Sequence, residues 1–94
     1  MKAYQKETCK TIANYYGLDS QILIGIEEMS ELTKELCKHQ RKYHRNREIV
    51  EELADVSIMI AQLIELFGAE KDVSEIIDFK LERQMRRIEH ERGE

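Results

Sequence analysis

"IVEELADVSIMIAQLIELF", residues 49–67, decides the fold. Ile49, Val50, Leu53, Val56, Ile60, Leu63, Ile64 and Phe67 recur at intervals of three and four, the period of a helix. From Val56 onward the segment is apolar nearly all round, which predicts burial on several sides rather than along one stripe. Gly68 stops it, and Asn46 is placed to cap it, with Glu48 in the first turn where the helix dipole favours an acid. The same segment nevertheless carries Glu51, Glu52 and Asp55 against its apolar side. Twenty residues earlier "IGIEEMSEL" (24–32) does the same with Glu27, Glu28 and Glu31.

Three further helices follow from the flanking pattern. Residues 3 to 16 predict a first helix closed by Gly17 as its C′ residue. Asp19 or Ser20 then caps a second helix running to about residue 43, whose inward stripe is Ile22, Leu23, Ile26, Met29, Leu32, Thr33 and Leu36. "DVSE" (72–75) reads as a capping box, Asp72 at the N-cap and Glu75 three residues on, for a fourth helix through Val73, Ile76, Ile77, Leu81 and Ile88. No linker, repeat or low-complexity stretch divides residues 1–94. The expectation is a single all-α, four-helix bundle-like domain. One layer of four such helices does not bury the third on its own, so assembly as a homo-dimer or homo-tetramer is expected, with that helix near the centre.

Composition narrows the function classes. Charged residues make up 36% of the chain, glycines number four and prolines none, as suits long helices with salt-bridged outer faces. A net charge of −4 argues against nucleic acid as the main partner. "MKAYQKETCK" has no apolar leader segment, and the apolar runs are too short for a bilayer, so a soluble cytoplasmic protein with no membrane partner is expected. Cys9 and Cys37 form no CxxC pair and read as buried or spectator thiols.

Residues three apart share a helix face, so Glu28 and Glu31 form one carboxylate pair and Glu52 and Asp55 another. Helices two and three, joined by a short turn near residues 44 to 46, run antiparallel. With the turn at about residue 45 the two pairs are level to within about 10 Å. Four converging carboxylates repel, and a hard divalent cation resolves the conflict. The bland alternative is a set of solvated acids paired with Lys34, Lys38 or Arg47. His39, His44 and His90 follow Leu36, Arg41 and Arg87 at the i−3 position, so no Glu-x-x-His motif of a di-iron bundle exists. An all-oxygen set points to Mg²⁺ or Mn²⁺ and hence to phosphate chemistry. "CKHQRKYHRNR" (37–47) is either a phosphate-steering rim or the solvated end of helix two. Tyr15 and Tyr16 either stack on a nucleobase or pack the first helix.

"EEMSE" followed by "ELAD" resembles the EExxE…ExxD signature of the MazG-like nucleoside triphosphate pyrophosphohydrolases, all-α enzymes related to the dimeric dUTPases and dCTP pyrophosphatases. The likeness runs from about residue 20 to 89, and "KLERQMRRIE" looks like that family's basic segment. The resemblance implies a Mg²⁺-dependent hydrolysis of an NTP or dNTP to the monophosphate and pyrophosphate. It implies Glu28, Glu31, Glu52 and Asp55 as metal ligands and Glu27 as the residue holding or polarising the attacking water. Lys80 then meets the triphosphate. Gln84 stands where relatives carry arginine or asparagine, keeping hydrogen bonds but losing charge, with Arg83 or Arg87 to compensate. Asp78 stands where relatives often carry asparagine. The rival readings are a non-catalytic helical interaction or regulatory module, and a related phosphohydrolase acting on nucleoside diphosphates or modified nucleotides.

Overall fold

The computed structural model describes residues 1–42 and 46–93 and contains four helices: α1 (Ala3–Tyr16), α2 (Leu18–Gln40), α3 (Asn46–Leu66) and α4 (Glu70–Glu91). Among the described residues there is no strand, and no helix is long and apolar enough to cross a membrane. The all-helical class and the four elements are those expected.

Helix ends differ from expectation in instructive ways. Gly17 has φ +86° and donates its N–H to the Ala13 carbonyl, so it closes α1 as expected. It also serves as the N-cap of α2, which therefore starts at Leu18; neither Asp19 nor Ser20 caps it, and Asp19 instead sits in the first turn. α2 ends at Gln40, not near residue 43. Lys42 takes φ +67° beyond it, a left-handed conformation that costs a non-glycine residue about 1 kcal/mol. Asn46 is the first residue of α3 rather than its cap. The joining turn expected at 44–46 falls mostly outside the described residues, as does His44. At the other end of α3, Gly68 (φ +61°) donates to Glu65 and Ala69 donates to Ile64, the paired bonds of a Schellman motif. Ala69 caps α4, two residues of helix precede Asp72, and the DVSE capping box does not form.

Packing departs most from the sequence pattern in α2. The line of α2 that meets α3 is Gln21, Gly25, Glu28, Leu32 and Glu35, spaced four, three, four, three. It lies about a quarter turn from the expected inward stripe, at 100° per residue. Leu23, Ile26, Met29 and Leu36 are consequently exposed. On α3, Val56 and Met59 are buried while Val50, Leu53, Ile60 and Phe67 are exposed. α1 packs on the other side through buried Cys9 and Ala13. α4 meets α3 alone, beside a groove of about 560 Å³ that Ile60, Ile64, Val73 and Ile77 help to line. None of its described residues is buried.

Candidate metal centre

Two uncharged devices set the register of α2 on α3. Gln21 and Gln62 are each 2% exposed, and the Gln62 side-chain amide donates to the Gln21 side-chain carbonyl. A buried amide left unpaired costs about 1–3 kcal/mol, so this pair resists sliding of one helix along the other. One turn on, Gly25 lets the helices close: a Cβ there would stand 3.2 Å from Leu63 Cδ1 and 4.0 Å from Met59 Cε. Seven residues forward from Gln21 is Glu28, and seven back from Gln62 is Asp55. Two turns from the amide pair, on the same packed line, those two carboxylates must meet.

They do. One carboxylate oxygen each of Glu28, Glu52 and Asp55 lies within 4.8 Å of the others. The level mismatch anticipated from a turn at residue 45 is absent because α2 ends at Gln40. Glu28 and Glu52 are half-buried and Asp55 is exposed. Loss of water around Glu28 raises its pKa above the ordinary carboxylate value. The charges of Asp55 and Glu52, a hydrogen bond with Asp55 and the charge of Glu27 add to the rise. Glu52 is raised as well, again first by desolvation, then by Asp55, Glu31 and Glu35, with a hydrogen bond from Glu28 opposing. Its Oε2 is buried without a hydrogen-bond partner.

The solvated-acid alternative required Lys34, Lys38 or Arg47 to neutralise these groups. Lys38 pairs instead with Glu35 at 3.6 Å, and Arg47 with Glu51 at 3.1 Å. Among the described residues no cation pairs with Glu28, Glu52 or Asp55. The donor set is all oxygen, Glu52 keeps one buried oxygen without a partner, and the set suits a hard cation. Of three oxygens on one octahedral Mg²⁺ at 2.0–2.1 Å, one pair at most stands about 4.2 Å apart and the others about 3 Å, so the three carboxylates draw together when they bind the ion.

The other anticipated residues fall at different distances. Glu31, exposed on α2, acts on Glu52 through its charge but is not one of the three converging ligands. Glu27 is exposed beside Glu28. Lys80, Gln84 and Arg87 stand exposed on α4, and among the described residues none bonds to the acidic group. Arg83 lies over the Phe79 ring at 5.7 Å and borders, with Arg86, Arg87 and His90, a cationic recess of about 300 Å³. Tyr15 and Tyr16 meet edge to face at 4.9 Å and are exposed, roughly 16 Å along α2 from Glu28 at 1.5 Å per residue. Glu35, buried and close enough to raise Glu52, was not singled out by the sequence, nor were Gln21, Gly25 and Gln62. The four-three spacing of 21, 25, 28, 32 and 35 was the available signal, masked because only Leu32 on that line is a large apolar residue.

No family model, curated protein or solved structure matches the chain.

Proposed function

We propose that the protein is a Mg²⁺-dependent nucleoside triphosphate pyrophosphohydrolase, converting an NTP or dNTP to the monophosphate and pyrophosphate. The observation that carries this reading is the meeting of Glu28 with Glu52 and Asp55, which come from two separate acidic motifs and, among the described residues, have no cation paired with them. The order and spacing of those motifs, "EEMSE" then "ELAD", resemble the MazG-like signature and support the same assignment.

Glu28, Glu52 and Asp55 would hold the ion, with Glu31 one turn along to complete or adjust the set; Mn²⁺ suits the same donors. Bound there, the ion supplies charge neutralisation at phosphate oxygens and a fixed position for water. Glu27 accepts the proton as that water attacks the α-phosphorus. Lys80 and Arg87, with the Gln84 amide, take up the charge of the departing pyrophosphate. Among the described residues no Ser, Thr or Cys is hydrogen-bonded to a base, and attack by water needs no covalent intermediate.

The test is pyrophosphate release measured across the eight common NTPs and dNTPs, with Mg²⁺ and with a chelator. Turnover of at least one nucleotide only when Mg²⁺ is present is expected. Absence of turnover for all eight defeats the assignment. A non-catalytic helical module is the second reading, favoured by the exposed apolar residues of α2 and α3. It predicts that millimolar Mg²⁺ leaves the melting temperature unchanged.

A further inference from the structure

One cation of the chain is already drawn toward the acidic cluster. Lys38 Nζ stands 3.6 Å from the carboxylate of Glu35, one turn back along α2. Glu35 is buried on the line that meets α3, and its charge acts on Glu52. Arg41, Lys42 and Arg47 of the same basic stretch are placed differently. The first two are exposed past the end of α2, and Arg47 pairs with Glu51. At 100° per residue Lys38 falls about a quarter turn from the α2–α3 contact line, on the flank that carries Glu27 and Glu31. Ile22, Ile26, Met29 and Leu36 lie on the other flank. Antiparallel helices turn in opposite senses viewed from one end, so on α3 the flank shared with Lys38 is that of Ala54 and Ile58. α1 reaches this side near the start of α2, where Lys10 lies 3.9 Å from Glu65. Beside the acids the side is open: Glu27, Glu31, Ala54 and Ile58 are all exposed.

We propose that Lys38 binds the pyrophosphate end of the nucleotide on this open side, while the α-phosphate sits on the ion held by Glu28, Glu52 and Asp55. Resting on the metal assignment above, this gives the site a cation from its own chain and a reason to take a chain of phosphates. Glu35, where the Lys38 amine stands, is seven residues beyond Glu28, roughly 10 Å along α2 at 1.5 Å per residue. A single phosphate on the ion stays beside Glu28; the second and third phosphates of a chain extend toward the amine. The pair with Glu35 is longer than the about 2.7–2.9 Å of a tight charge-assisted bond, so it does not lock Lys38 in place. An ammonium group carries several N–H donors, and Lys38 can keep Glu35 while giving others to phosphate oxygens. Glu35 is then a positioning residue, holding the amine on the flank where Glu27 handles water. Lys80 and Arg87, by contrast, ride on a helix that meets α3 alone.

The probe is inorganic tripolyphosphate, titrated calorimetrically into the full chain with Mg²⁺ in excess. Loss of a charged hydrogen bond changes Kd about tenfold or more, so Lys38→Gln is expected to weaken tripolyphosphate by about that factor. Lys38→Arg keeps the charge and is expected to restore most of the affinity. Lys71→Gln removes the same charge from the start of α4 and should change nothing. The rise in melting temperature on adding Mg²⁺ alone should survive in Lys38→Gln, since Lys38 is no ligand of the ion. Tripolyphosphate binding equal in wild type and Lys38→Gln overturns the proposal, as does wild type that binds none. Loss of the Mg²⁺ shift together with the affinity also overturns it, leaving Lys38 only the task of neutralising Glu35. Should Lys38→Gln lose helicity, Glu35→Gln combined with it removes both charges of the pair and carries the same comparison. A wild type whose melting ignores Mg²⁺ defeats the metal assignment as well. An intact shift with unaltered tripolyphosphate affinity in Lys38→Gln defeats the role of Lys38 alone.

Discussion

Glu52 concentrates the conflict at the acidic cluster, being desolvated, facing like charges and keeping one oxygen without a partner. Its raised pKa, and that of Glu28, have a definite thermodynamic sign. The folded state then binds protons more readily than the unfolded chain, so these groups weaken the fold once pH exceeds their folded pKa. Their penalty disappears as pH falls below the unfolded value. Metal-free protein is therefore expected to gain stability, as far as these two groups contribute, on acidification from neutral pH through the raised pKa values, and Mg²⁺ affinity falls over the same range as protons compete. Thermal melts at several pH values, each with and without Mg²⁺, measure both trends. Glu52→Gln removes a repelling charge without changing shape. It is expected to raise the metal-free melting temperature, to abolish turnover, and to lose the Mg²⁺-induced shift. In the wild type that shift is about 10 °C or more at one hundred times Kd, where a folded-state ligand adds about 2.7 kcal/mol. A variant that melts lower without metal would mean that Glu52 supports the fold rather than strains it.

At the scale of the helix pair, the carboxylates meet because Gln21 holds Gln62 and Gly25 admits Leu63. Much of the site was legible: both acidic motifs, their helices and their antiparallel course follow from residue spacing. The face that brings the motifs together was not, because apolar periodicity marks every face that will be buried and cannot say against which partner. Ile22, Ile26, Met29 and Leu36 obey the helical period and point away from α3, whereas the line that does meet α3 is mostly polar or small. Helix caps were missed for a related reason, since Gly17 serves two helices at once and displaces Asp19 and Ser20 from the role. Gly25→Ala is expected to destabilise the pair and weaken Mg²⁺ binding, since a methyl 3.2 Å from Leu63 Cδ1 makes that side chain give by a few tenths of an ångström in the tight contact one turn from Glu28. Gln62→Leu leaves Gln21 buried without its partner and should cost about 1–3 kcal/mol in denaturant melts. The double change to leucine should recover most of that stability. It should still bind Mg²⁺ more weakly than wild type, because an apolar seam no longer fixes which residues lie level. Wild-type affinity in the double variant would show that Gly25 and the turn set the register unaided.

Across the whole molecule, the acids and the α4 cations that would serve one nucleotide stand apart. α4 packs on α3 alone, its described residues are unburied, and Lys80 and Arg87 make no bond to the acidic group of their own chain. A homo-dimer, expected from the apolar third helix, brings a second α4, and in such a dimer the α4 cations at each cluster are expected to come from the partner. Complementation distinguishes this from a site built within one chain. Glu52→Gln lacks a working cluster but has an intact α4; Lys80→Ala combined with Arg87→Ala lacks the cations but has an intact cluster. Each is expected to be nearly inactive alone. In a two-fold dimer formed by random exchange, half the molecules are mixed and each contains one complete site, so an equimolar mixture should regain about a quarter of wild-type pyrophosphate release. Sedimentation of the two variants, separately and mixed, verifies that dimers form and exchange. With exchange established, a mixture no more active than its components would return Lys80 and Arg87 to the chain that carries the acids, reached by a movement of α4 about its junction at Gly68.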